Sequence, residues 1–227
     1  ASLEAALDAL ELIEVDYQPL TPVVDMEEAV KPGTQLVHDD LGTNIAVEGT
    51  RSVGDPDGAF QAADGVVSLR LTQPRLIPNP MEARAVVASY ERGTGNMTLW
   101  LTTQGPHFER ELIAQVLGFP EHKLRVISID VGGGFGCKID AYAESVIAPL
   151  LSMRLNRPVK WAEDRQEHFL STIHGRGELQ YVEAAYKNDG TLLGLRIQYF
   201  TDLGAYCVGG SHAVVETLTP SGGQGVY

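Results

Sequence analysis

Apolar positions in this chain change period several times, and each change marks an element. Leu3, Ala6, Leu7 and Leu10 recur at helical spacing, and residues 11–17 then alternate like a strand. Asp25 followed by Glu28 reads as a capping box opening a second short helix. Residues 31–65 are rich in Gly, Asp and Pro with little periodicity, a connecting stretch that is long for a loop. Val67, Leu69 and Leu71 alternate; Pro74, Pro78 and Pro80 interrupt the pattern, and residues 81–90 resume as a strand. Met97, Leu99 and Leu101 alternate with Thr98, Trp100 and Thr102, a half-buried strand that Gln104-Gly105-Pro106 ends. Phe108, Leu112, Ile113, Val116 and Leu117 then return to helical spacing, with Gly118 as C-cap. Residues 124–131 form the next strand and 141–155 a helix that Pro149 should kink or shorten. Residues 159–161 make a short strand, and 178–186 with 191–201 alternate around Lys187-Asn188-Asp189-Gly190, a hairpin.

The central strand runs into Gly132-Gly133-Gly134-Phe135-Gly136, and a helix is expected just beyond. Glycine lets backbone N–H groups approach a bulky anionic ligand, and a following helix N-terminus adds partial positive charge. Strand 96–102, helix and strand 124–131 form one crossover unit, which sets the two strands side by side and parallel. That places Gln104 and Gly134 at the same carboxyl end of the sheet, where open α/β sheets hold ligands.

Spacing excludes two familiar uses of such a loop. A dinucleotide fingerprint would need glycine where Cys137 stands, and a P-loop needs Gly-Lys-Ser/Thr, whereas Lys138 lies between Cys137 and Ile139. The plainer reading is a tight strand-to-helix turn without a ligand.

Composition narrows the class. A chain of 227 residues fits one to two domains, and 44% hydrophobic residues fill a core. A net charge of −13 with few basic clusters argues against nucleic acid and anionic membranes. No run approaches the roughly 18–20 apolar residues of a membrane span. The acidic, amphipathic opening lacks the basic start of a secretory signal. Cys137 and Cys207 form no C-x-x-C pair, so neither an iron–sulfur cluster nor a disulfide framework is expected, and a cytoplasmic setting is the default.

Four ordered segments carry a family likeness. TTQGPHFER (102–110), DVGGGFGCK (130–138) and RPVKWAEDRQEHFLST (157–172) resemble the molybdopterin-binding large subunit of the molybdenum hydroxylases, the group of xanthine dehydrogenase, aldehyde oxidase and aerobic carbon monoxide dehydrogenase. Residues 9–30 look like the end of the α/β-hammerhead domain that precedes the cofactor domain, and PVKWAEDR is most similar to the carbon-monoxide-dehydrogenase-like branch. The resemblance implies an α+β fold, with residues 1–65 the end of the hammerhead domain plus a connection, and 66–227 the first part of the molybdopterin-binding domain. It also implies an internal segment or split subunit.

The same resemblance implies the site. A molybdenum–molybdopterin group, in the plain or the cytosine dinucleotide form, would be bound through Gln104, Gly133, Gly134, Phe135 and Gly136. Gln104 and Phe135 would lie near molybdenum without being side-chain ligands, the metal being held by the pterin dithiolene. An aldehyde, an N-heterocycle or carbon monoxide would be oxidised with oxygen derived from water. FAD and [2Fe-2S] clusters on a medium and a small partner subunit would remove the electrons. The family's general-base glutamate belongs to a downstream segment with no counterpart here, so no catalytic residue is assigned and this segment alone should not turn over. Purine-oxidising members carry glutamate directly after the lysine; here Ile139 is apolar and cannot bond a purine edge.

Other residues read more simply. Phe135 packs down as a plug or covers something; Lys138 pairs with a cofactor anion or, more plainly, neutralises Asp140 or Glu144; Cys137 fills space. His107 caps the helix start, and His168 and His174 lack zinc spacing and read as surface histidines. Glu163, Asp164, Arg165 and Glu167 read as an exposed salt-bridged turn. Two rival functions stand beside the family reading: an assembly fragment without cofactor, and an unrelated phosphate- or nucleotide-binding α/β module.

Overall fold

Local chemistry starts most of the elements. In the computed structural model, which describes residues 2–206, the chain divides into two units at Ile45 and Ala46. In the first, Ser2 caps α1 (Leu3–Leu10), its hydroxyl accepting from Ala5 N–H, and the Asp25 carboxylate accepts from Glu27 and Glu28 N–H at the start of α2 (Met26–Ala29). Asn44 closes the following loop through Ala29 O, Gln35 O and Val37 N–H. Residues 11–17 do not form the expected strand. Alternation makes a strand only where a neighbour supplies hydrogen bonds, and Leu12, Ile13 and Tyr17 stand exposed.

The second unit holds two sheets. Asp55 caps α3 (Pro56–Gln61), a helix inside the stretch read as connection. β1 (Gly65–Leu76) pairs with β6 (Gly175–Tyr186), which pairs with β7 (Leu192–Thr201), all antiparallel, in the order β1-β6-β7. Pro74 does not break β1, because β1 lies at the sheet's edge, where a missing N–H need not cost a ladder bond. The hairpin is closed by Lys187 N–H donating to Thr191 O, as the pattern at 187–190 predicts.

The other sheet runs β4-β3-β2-β5, with β2 at Ala85–Glu91, β3 at Asn96–Leu101, β4 at Leu124–Ile127 and β5 at Val159–Ala162. β3 and β4 are parallel, and the helix joining them, α4 (Pro106–Leu117), ends in left-handed Gly118. Helix α5 (Ala143–Leu155) packs on β2 and β5. It continues through Pro149, which neither shortens nor ends it. The core lies between this sheet and its helices: Val86, Ala88, Met97, Leu99, Leu101 and Leu124 from the strands, Ile113, Ala114 and Ala148 from the helices. Trp100 alternates outward and is 41% exposed. Helix α6 (Arg165–Ser171) follows β5 and opens with a true capping box, Asp164 with Glu167.

This core predicts graded costs. Leu99 is fully enclosed, so Leu99→Ala should destabilise the chain by about 3 kcal/mol. Exposed Val116→Ser should stay within about 0.5 kcal/mol. Denaturant titration of both variants checks the order.

Candidate functional site

Parallel pairing of β3 with β4 puts the carboxyl ends of both strands side by side. As β4 exits, the Ser128 hydroxyl donates to Thr103 O at the exit of β3. Thr103, almost fully buried, donates its hydroxyl to Lys138 O and accepts from Gly105 N–H, which shapes the turn around Gln104. Gln104 N–H donates to Lys138 O at 2.8 Å. Its side-chain Oε1 accepts from Gly136 N–H at 3.0 Å and Lys138 N–H at 3.2 Å. Gln104 and the glycine turn therefore converge, as their common sheet end requires.

Two backbone donors on one oxygen fix the amide orientation, because only the carbonyl end accepts. The Nε2 group makes no hydrogen bond among the described residues and is left as a donor. A Cβ on Gly134 would fall 2.3 Å from Gln104 Oε1 and 2.4 Å from its Cδ, so glycine is obligatory for this contact. Gly133 and Gly136 have φ of +92° and +93°, which other residues adopt at a cost. Beside Gly136 nothing lies within 4 Å of where a Cβ would stand. Phe135 also has positive φ, 54°, and is 71% exposed. It is no plug beneath the turn; its ring stands over Gly133 and faces outward.

The turn is not an outward nest of amides. Gly132 N–H donates to the Glu82 carboxylate at 2.7 Å, Gly133 N–H to Val131 O, and Cys137 N–H to Gly134 O. With Gly136 and Lys138 engaged by Gln104, only the amides of Gly134 and Phe135 in this run lack a protein partner among the described residues. The expected helix is also further away: α5 starts at Ala143, and residues 137–142 separate it from the turn. A dipole acts within its first turn. Both observations count against a phosphate cradle. A cavity of about 580 Å³ lies on the three-stranded sheet between Ser68 and Gln198, and none of its lining residues belongs to this turn.

Several single-residue readings change in three dimensions. Lys138, 1% exposed, pairs with Glu82 at 3.2 Å, a partner its sequence neighbours did not suggest. Burial raises the Glu82 carboxyl, but Gly132 N–H and the Lys138 ammonium outweigh it and hold the group below its usual range. Cys137 is fully buried; its thiol donates to Gly134 O, and burial pushes its pKa up, so it fills space and is no nucleophile. His107 is exposed and α4 has no side-chain cap. His174 is on the surface as expected, but His168 is buried.

Glu163 is likewise buried, not part of an exposed turn. It accepts from Arg84 Nε at 2.9 Å, from Arg84 Nη2 and from the Arg84 backbone N–H, while its second oxygen meets His168 Nδ1 at 3.0 Å. Burial raises this carboxyl, and Arg84 with His168 bring it below its usual value. Arg84 also lies over the Tyr142 ring, 3.6 Å from its centroid, and the Tyr142 hydroxyl donates to Cys137 O. Glu82 and Arg84 lay outside the segments that carry the family likeness, and their only signal was a charge set directly against an apolar strand, in EARAVV; Glu163 lay within PVKWAEDR but read there as part of an exposed turn.

Beneath the Gln104 turn lies a second acid that sequence reading missed. Glu109, on α4, is 2% exposed, and burial raises its carboxyl from 4.5 to about 8 against the opposing effect of Thr103. A cavity of about 10 Å³, room for one water, is lined by Glu109, Arg84, Lys138 and Asp140. Glu109 Oε2 finds no protein partner there.

Known proteins match this chain over most of its length. Residues 37–227 match the family described as molybdopterin cofactor-binding domain. The carbon monoxide dehydrogenase large chain of Afipia carboxidovorans is 38% identical over 88% of this chain and 26% of its own length. The nicotine 6-hydroxylase large subunit of Paenarthrobacter nicotinovorans is 34% identical over 97% of this chain and 28% of its own. Among solved structures, quinoline 2-oxidoreductase from Pseudomonas putida 86 superposes with a TM-score of 0.84 at 38% identity, over 90% of this chain and 26% of the other. The chain thus spans about a quarter of the length of these relatives.

Raising the pH should weaken the fold through Glu109. Below pH 4.5 the acid is protonated folded and unfolded; between 4.5 and about 8 only the unfolded chain releases the proton, so stability is progressively lost. Glu109→Gln should remove at least about 1 kcal/mol of that loss between pH 5 and 8, measured by urea unfolding.

Proposed function

Because the chain belongs to the molybdopterin cofactor-binding domain family, we propose that it forms the cofactor-holding portion of a molybdenum hydroxylase large subunit. The observation that carries this reading is the Gln104 amide, pinned by two turn amides so that Nε2 is left as an outward donor. The features that fit a bulky oxygen-rich group are the Gln104 donor, the open space beside Gly136 and exposed Phe135 as an apolar wall. Gln104 would donate to an acceptor on the group, and Gly133 to Gly136 would admit it close to the backbone. When bound, the molybdenum–pterin group supplies the two-electron redox chemistry and the activation of a water-derived oxygen.

This chain's own part is placement. Gln104 orients, the turn excludes side chains, and Phe135 sheds water from one side. Ile139, 38% exposed beside the turn, offers no hydrogen bond, so a small or weakly polar substrate suits the site better than a purine. Carbon monoxide, an aldehyde and an N-heterocycle remain the substrate classes, in keeping with the names of the relatives. The terms large chain and large subunit in those names support partner subunits, for which FAD and [2Fe-2S] clusters are the electron acceptors proposed. We also assign residues 1–65 to the end of a hammerhead domain with its connection and 66–227 to the cofactor domain, the pterin to the plain or cytosine dinucleotide form, and the protein to the cytoplasm. Among the described residues no helix is long and apolar enough to cross a membrane.

The full-length polypeptide, purified with its partners, should carry molybdenum and release a fluorescent pterin on oxidation. Gln104→Ala should cut turnover by about a hundredfold while the fold survives. Gly134→Ala should displace the Gln104 side chain and act in the same direction. Retention of ADP or NAD in place of pterin by the unmodified protein would overturn the reading.

A further inference from the structure

The turn is also shaped by Glu82, which lies outside the segments that carry the family likeness. Glu82 meets Gly132 three times over: Gly132 N–H donates to Oε2 at 2.7 Å, Glu82 N–H donates to Gly132 O at 3.2 Å, and a Cβ on Gly132 would strike Glu82 Cβ at 2.6 Å. The same Oε2 receives the buried Lys138 ammonium at 3.2 Å. One carboxylate thus grips both ends of the turn, six residues apart in sequence. Pro80, fully buried, adds an apolar contact, its Cβ 3.3 Å from where a Cβ on Gly133 would stand.

Residues 78–82 have no regular structure to hold them. They are held from helix α6 instead. Arg165 donates to Asn79 Oδ1 at 2.7 Å, Pro80 O at 2.9 Å and Met81 O at 3.1 Å. His168 Nε2 lies 2.8 Å from Pro78 O, and its other nitrogen faces Glu163, which Arg84 fixes. Four consecutive residues of an irregular segment are therefore bonded to one helix, and the fifth grips the turn.

We propose that residues 78–82 are a strap that sets the shape of the cofactor turn, with Glu82 as its positioning residue and Arg165 and His168 of α6 as its anchors. The strap keeps Gly132 and Lys138 in register, and Lys138 N–H in turn keeps Gln104 Oε1 turned inward with Nε2 outward. Glu82 needs no contact with the cofactor; it acts through the turn. The strap's effect on the cofactor rests on the function proposed above, whereas its effect on the turn does not.

Amide hydrogen exchange on the full-length protein, cofactor-free and loaded, separates the two. Glu82→Ala should speed exchange across residues 130–138 by about tenfold, the loss of hydrogen bonds to a charged group, and leave α5 unchanged. Glu82→Gln keeps an acceptor for Gly132 N–H and should recover part of the protection. Arg165→Ala, on the far side of the strap, should loosen 78–82 and 130–138 together, and it serves as the deciding variant if Glu82→Ala fails to fold. In the loaded protein these variants should lower pterin retention in the same order. Faster exchange confined to 78–82, with 130–138 unmoved in Arg165→Ala and Glu82→Gln, would overturn the strap. Loosening of the turn in a protein that never carried pterin would leave the strap standing and sink the proposed function.

Discussion

The side-chain oxygen of Gln104, with the N–H groups of Gly136 and Lys138 upon it, joins the end of one strand to the turn that leaves its parallel neighbour. Everything proposed for the site depends on that junction. It orients the amide, fixes which end of it faces out, and demands glycine at 134. Parallel pairing of β3 and β4 makes it possible, because only a parallel pair brings two carboxyl ends together.

Around the junction the protein buries an unusual amount of charge, and each group is treated differently. Lys138 is enclosed and has a half-exposed carboxylate, Glu82, to answer it. Arg84 and Glu163 are both enclosed and share several hydrogen bonds, with His168, Ser171 and the Tyr142 ring completing the shell. Burying an ion pair rarely stabilises more than an apolar core would, and removing one partner is costly. Such a network is better understood as fixing geometry, here the relative placement of β2, β5 and α6. Glu109 follows the third course: lacking a cation of its own, it keeps its proton.

Much of the fold was legible in the chain. The alternation at Met97, Leu99 and Leu101, the helical spacing from Phe108 to Leu117 and the turn signal at 187–190 correspond to β3, α4 and the β6–β7 hairpin. Where reading failed, the cause was a partner outside the window. Residues 11–17 alternate but have no strand beside them; Pro74 breaks a pattern but not an edge strand; the predicted helix after the turn begins only at Ala143 because Cys137, Lys138 and Asp140 are first drawn into the interior.

By itself the sequence determined the local facts: which stretches alternate, where glycine frees the backbone, and that a glutamine follows one strand and a glycine run follows the next. Those facts were enough to bring Gln104 and the glycine turn to one end of the sheet, because connection rules for parallel strands are nearly universal. Only the tertiary structure decided how charges are shared. Glu163 and Arg84 lie opposite each other because β2 and β5 run antiparallel, and Glu82 reaches Gly132 because a helix far along the chain holds its segment. Electrostatic pairing depends on distance and burial, and neither is written in the order of residues.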